Sequence, residues 1–248
     1  MGEVAAVVDH RRVELSPEAI DLVSRQHGVV ASSQLREFGY TNVQIHRLRR
    51  SDGWRSPTTR VLVRAGSADT AARRLMTAAL DVGADAAVSH LTGGSWWGLG
   101  GCRRWPAHVT TTRGCGQRPT LAVVHEVRRL PPEWSTTFRG VPVVRPELLA
   151  LQLHAVLHPA RADRLIDQLW SARLLSGPSI AAFLADMGER GRNGTAGLRR
   201  YLDARPADYV PPASGLEHRF AELAAGLGPA GRFRRQVDVG GTRWNGRV

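Results

Sequence analysis

The sequence predicts an α+β protein, and three observations carry that expectation. Residues 16–64 read as helix, short helix, tight turn, helix and hairpin. From about Thr70 to Gly188 the strand-like runs come first and the helices later, the arrangement of an α+β unit rather than of a doubly wound sheet. Between Asn42 and Arg64, six arginines stand against the single acid Asp52, so cationic charge concentrates on one short stretch.

Ser16-Pro17-Glu18 opens the first helix, with a serine cap, a proline at the first helical position and an acid in the first turn. Ala19, Ile20, Leu22 and Val23 supply its apolar stripe, and Gly28 ends it. Val29-Val30 reads as a short extended link. Ser32 or Ser33 caps a second helix, Gln34 to Phe38, closed by Gly39, and Thr41 caps a third, Asn42 to about Ser51. Trp54 to Arg64, with turn residues Ser56-Pro57, reads as a two-stranded wing. This is the order of a winged helix-turn-helix.

At 100° per residue, with Ile45 pointing inward, Leu48 lies about 60° to one side and Thr41 and Arg49 about 40° off. Val43, His46, Arg47 and Arg50 then share the opposite face, where a recognition helix reaches base edges and phosphates in the major groove. Arg55 and Arg60 on the wing are expected to grip the flanking backbone, with Arg64 beside them.

In the central region, helices are expected at Thr70–Val82 and, as a compact turn, at Thr92–Gly98. Strands are expected at Ala86–His90, Ala107–Thr112, Leu121–Arg128 and Gly140–Val144. Three further helices follow: Pro146–Leu157, Pro159 to about Leu175, and Ser179–Met187. The connector at Gly188–Gly194 leads to a short helix, Thr195–Ala204. Tyr209-Val-Pro-Pro212 is a stiff linker. Ser214 caps a last helix to Leu227, with Leu216, Phe220, Leu223 and Ala224 inward, and a hairpin follows over 232–248. The domains are thus expected at 14–66 (winged helix-turn-helix), 67–190 (α+β), 191–212 (connector) and 213–248 (an incomplete segment).

Composition narrows the classes. The 248 residues carry 34 Lys+Arg against 22 Asp+Glu, a net charge of +12, and all 34 cations are arginine. Part of that excess reads as the coding bias of a GC-rich genome; the rest points to a polyanionic partner, double-stranded DNA. No run of about 18 apolar residues can span a membrane. Met1–Arg12 lacks the pattern of a secretory signal. Two cysteines, Cys102 and Cys115, suit a reducing cytoplasm.

Catalytic and metal motifs are weak. Phosphate-binding glycine loops and the nucleophile elbow are absent. His90 near Ser95 has no identifiable orienting acid. His154 and His158 lie four apart without a third ligand, and Cys102 and Cys115, near His108 and His125, form no Cys-x-x-Cys pair. No metal site is assigned.

The stretches Gly28-Val29-Val30 through Ser33-Gln34-Leu35 and Leu48-Arg49-Arg50-Ser51-Asp52-Gly53-Trp54-Arg55 resemble the winged helix of AbiEi-type antitoxins of type IV toxin–antitoxin systems. Ala87-Val88-Ser89-His90-Leu91-Thr92, Trp97-Gly98-Leu99, Gly140-Val141-Pro142-Val143-Val144 and Pro146-Glu147-Leu148-Leu149-Ala150-Leu151 resemble the rest of actinobacterial proteins of that architecture. Residues 211–220 and Arg235-Gln236-Val237-Asp238-Val239 are similar to the opening of a very-short-patch-repair endonuclease domain, a restriction-endonuclease-like fold. The resemblance covers most of the chain from Ser16, and the order of its short motifs is its stronger signal.

It implies a DNA-binding transcriptional regulator that counters a nucleotidyltransferase-like toxin, with the α+β region binding a partner or forming a homodimer. The alternative it implies is a metal-dependent DNA endonuclease. There Glu217 matches the helix acid, but alone it cannot hold Mg²⁺. Asp238 falls one strand too early, and the sequence stops at Gly246-Arg247-Val248, before the first metal-binding Asp. No catalysis is therefore expected, and Mg²⁺ enters only with the nuclease alternative.

Overall fold

The computed structural model describes residues 13–113, 120–189, 191–206 and 208–212, together with Phe220 and Leu223. It is α+β, and it divides into two compact units, Met1–Leu153 and His154–Val248. No helix among the described residues is long and apolar enough to cross a membrane.

The first unit begins with helix α1 (Pro17–Arg25), whose capping serine accepts from Ala19 N at 3.3 Å. Strand β1 (Val29–Ala31) follows, then α2 (Ser32–Glu37), α3 (Asn42–Arg50), β2 (Trp54–Arg55) and β3 (Val61–Arg64). Where a two-stranded hairpin is expected, the sheet has a third strand. The link at Val29-Val30 pairs antiparallel with β3, Val30 opposite Leu62, so the sheet runs β1-β3-β2.

Alternation along these strands sends Val30 and Leu62 toward the helices, where they pack with Val23, Leu35, Ile45 and Leu48. Val29, Ala31, Val61 and Val63 face the other way. There they meet Met76 and Leu80 of α4 (Ala71–Val82). The opposite side of α4 supplies Leu75 and Ala78 to a second core with Val88, Trp96, Ala107, Val141 and Val143. A helix clamped between two sheets cannot lie beyond a domain boundary, which is why the chain does not part at 66/67.

The second sheet has five strands: β4 (Ala87–Val88), β5 (His108–Thr112), β6 (Val123–Val127), β7 (Ser135–Phe138) and β8 (Val141–Val144). Their order is β6-β5-β4-β8-β7, with β5–β6 and β4–β8 parallel and the other pairs antiparallel. Helix α5 (His90–Trp97) starts two residues before its expected position and takes His90 out of the strand. Strand β7 was not expected. It is polar, and its hairpin with β8 turns on Arg139 and Gly140, at φ 49° and 71°, the positive values that two-residue hairpin turns require. A Cβ on Gly140 would lie 2.6 Å from His27 Nε2, and that nitrogen donates to the Arg139 carbonyl at 3.0 Å. The end of α1 is thereby fastened to this hairpin.

The division between the units falls within α6 (Pro146–Val156). The second unit contains α7 (Pro159–Ser171), α8 (Gly177–Met187) and α9 (Thr195–Asp203). Its buried centre is Asp167, 3% exposed, which accepts from Tyr201 Oη at 2.6 Å, Tyr209 Oη at 3.0 Å and Arg205 Nη2 at 3.2 Å. The Arg205 guanidinium also lies 3.3 Å from the Tyr201 ring centroid. Burial first, then Asp167, push the Tyr201 hydroxyl to a higher pKa than usual, so it stays a donor. His154 and His158 do not share a helix face. α6 ends at Val156, His158 precedes α7, and the buried His154 Nε2 lies 3.4 Å from Asp163 Oδ1.

Of the expected final helix only Phe220 and Leu223 are described, and the hairpin lies outside the described residues, as do Glu217 and Cys115. Phe220 and Leu223, expected to face inward, are exposed by 52% and 73%.

Removing the Tyr201 hydroxyl leaves a buried carboxylate short of one donor. Tyr201→Phe is expected to lower unfolding free energy by about 1–3 kcal/mol, measured by urea denaturation. An unchanged midpoint would show that Asp167 does not depend on this bond.

Candidate nucleic-acid interface

Helix α3 is anchored before it is aimed. Thr41 Oγ1 accepts from Gln44 N at 3.3 Å while Gln44 Oε1 accepts from Thr41 N at 2.8 Å, a reciprocal cap that fixes where the helix starts. Ile45 and Leu48, each 3% exposed, set its rotation. The opposite face then carries Val43, 60% exposed, with exposed His46, Arg47 and Arg50. No acid lies on this helix, and the last turn holds Arg47, Arg49 and Arg50, where cations complement the helix dipole.

The arginines of this segment divide into two groups. Arg49 Nη2 donates to Ser32 Oγ at 2.6 Å and also to the Thr59 carbonyl, bracing α3 against α2 and the hairpin. Arg60 departs from its expected role. Its Nη1 donates to the Asp81 carbonyl and lies 3.9 Å from Asp81 Oδ1, within the run of α4 that is buried on all sides. A carboxylate whose side chain is 3% exposed requires a countercharge, and Arg60 provides it. By contrast, Arg55 and Arg64 are exposed, on the adjacent strands β2 and β3. The outward cationic set is therefore Arg47, Arg50, Arg55 and Arg64. Sequence spacing alone does not reveal the Asp81 tie, because that partner lies 21 residues away on another element.

A second constellation is a stack of three imidazoles. His108 and His125 sit on the paired parallel strands β5 and β6, with His108 Nδ1 2.9 Å from His125 Nε2. The His90 ring stacks on that of His125, their centroids 3.6 Å apart. His90 Nδ1 is 2.9 Å from Ser89 Oγ, and its backbone N donates to Gln152 Oε1 at 3.3 Å. Ser95 is not its partner. Stacked rings do not converge their nitrogens on one point, and among the described residues no group of three His, Cys, Asp or Glu side chains is arranged to hold a metal. The His108–His125 pairing depends on strand register, so neither position signals it from sequence.

Burial, reinforced by the charges of His125 and His108, holds the His90 pKa down at about 3; burial lowers His108 and His125 as well. An unfolded imidazole titrates near 6.5. Below that pH the unfolded chain takes up protons that the folded stack refuses, so stability is full above about pH 6.5 and falls with acid. At pH 5 the His90 share of the loss is about 2 kcal/mol. Urea denaturation at pH 7.5 and pH 5.0 should show a smaller acid loss in His90→Gln than in the wild type; equal losses would contradict this origin. Compared with protein-family models and with curated proteins, the chain matches none.

Proposed function

We propose that the chain is a double-stranded-DNA-binding regulator whose segment 14–66 acts as a winged helix-turn-helix, with α3 as the recognition helix. The observation that carries this reading is the outward face of α3, where Val43, His46, Arg47 and Arg50 stand together while Ile45 and Leu48 are buried. A helix with its side chains is about 10–12 Å across and the major groove is about 12 Å wide, so such a face enters the groove with its side chains against base edges. Arg47 and Arg50 have the chemistry to read guanine or grip phosphate. Val43 can meet a thymine methyl, and His46 can donate to a base edge. Arg55 contacts the flanking backbone from the wing. Arg60, held by Asp81, supports the wing from behind.

Antitoxin activity against a nucleotidyltransferase-like toxin is the more specific form of this proposal. It rests on the resemblance in motif order, and it implies a cytoplasmic protein that acts beside the genome. The α+β region is the surface for the toxin or for a second copy.

The test is an electrophoretic mobility shift on the DNA upstream of the protein's own gene, repeated across salt concentrations. Binding should weaken steeply with salt. Arg47→Ala and Arg50→Ala should each cost about 1–3 kcal/mol if the residue reads a base, or lower the salt slope by about one if it grips a phosphate. Arg60→Ala should reduce stability while leaving the affinity of the folded protein close to wild type. Wild-type binding by both α3 variants would overturn the recognition-helix assignment.

A further inference from the structure

Within the first unit a cavity of about 620 Å³ opens between the β2–β3 hairpin, α4 and the chain near Trp105 and Leu121. Its walls combine two chemistries. Arg55, Arg64, Arg73 and Arg74 line it, and among the described residues no aspartate or glutamate does. Trp105 and Leu121 also line it, 41% and 39% exposed, so two large apolar side chains are left open to solvent at one place.

The four guanidinium groups are not equivalent. Asp69 holds two of them, with Arg73 Nη2 at 2.6 Å and Arg74 Nε at 2.9 Å from its Oδ1. Arg73 Nη1 also donates to the Ser67 carbonyl at 2.6 Å. These hydrogen bonds keep the Asp69 carboxyl down at about 2, so the clamp stays charged at neutral pH. The guanidinium groups of Arg55 and Arg64 have no hydrogen-bond or ion-pair partner among the described residues. Arg55 and Arg64, the two lining arginines without a side-chain partner, thus border the cavity together with Trp105, whose indole N–H makes no hydrogen bond to a described residue.

Each simple ligand leaves part of this wall unused. Inorganic phosphate satisfies the arginines but does not cover Trp105 and Leu121. A neutral aromatic covers the apolar wall and leaves two cations without counterions. A volume of about 620 Å³ falls within the roughly 300–1,000 Å³ of small-molecule pockets. We infer that this cavity is a binding site for an organic anion that joins a planar ring to a phosphate or carboxylate, of the size of a nucleoside monophosphate. The ring stacks on Trp105 and the anion sits between Arg55 and Arg64. The site stands apart from the proposed DNA reading, although Arg55 belongs to both surfaces and a bound anion would neutralise one wing cation.

Isothermal titration calorimetry on the full chain without DNA tests the site with adenosine 5′-monophosphate as the probe. Adenosine serves as the ring alone and inorganic phosphate as the anion alone. The expected result is binding of the monophosphate at least about tenfold tighter than either fragment. Trp105→Ala and Arg64→Ala, both at exposed positions, should each weaken it about tenfold or more while the circular dichroism spectrum is retained. Leu121→Asp, which adds a carboxylate to the wall, should abolish it. Three results would overturn the inference: no heat with the monophosphate, phosphate binding as tightly as the monophosphate, or folded variants that bind like wild type. None of these measurements depends on DNA binding, so loss of the DNA reading would leave the site standing, and the reverse.

Discussion

Helix α4 is the constraint on which the first unit depends. Eight consecutive residues, Leu75 to Val82, are buried, so the helix has no solvent face over its last two turns. A helix buried all round must satisfy packing on opposite sides at once. Met76 and Leu80 close the three-stranded sheet while Leu75 and Ala78 fill the five-stranded one. Asp81 is the polar exception within the run. It accepts from Thr120 N at 3.2 Å, and Arg60 offsets its charge from the adjoining sheet. The same residues that complete two cores also determine which arginines remain available outside.

That selection matters more than the net charge of +12. Arg49, Arg60, Arg73, Arg74 and Arg205 are occupied by Ser32, Asp81, Asp69 and Asp167, and each positions a piece of backbone or neutralises a carboxylate. Arg47, Arg50, Arg55 and Arg64 point outward without such partners. Nothing in composition separates the two groups. A surface built from a few presented cations is also specific in position, whereas a diffuse excess of arginine would give only attraction without register.

Much of this was legible from residues 16–64, because the signals there are local. Ser16 and Thr41 cap where expected, and the 3.6-residue period places Ile45 and Leu48 inside with Val43, His46, Arg47 and Arg50 outside. What was not legible depends on partners distant in sequence. Val29-Val30 becomes a strand only because β3 lies alongside, and Arg60 turns inward only because Asp81 lies beneath it. Ser135-Thr-Thr-Phe138 has no alternating apolar face, so β7 exists through its pairing with β8 rather than through its own pattern. The imidazole stack follows from a parallel register between β5 and β6 that no local signal specifies.

The contact between His27 and the Arg139–Gly140 turn has a mechanical meaning. α4 alone would attach the three-stranded sheet to the five-stranded sheet along one line, and a body joined along one line can swing about it. The His27 bond to the Arg139 carbonyl, with Gly140 too close to admit a side chain, is a second attachment away from that line. Two attachments, one at the end of α1 and one on α4, therefore join the three-stranded sheet and the face of α3 to the five-stranded sheet.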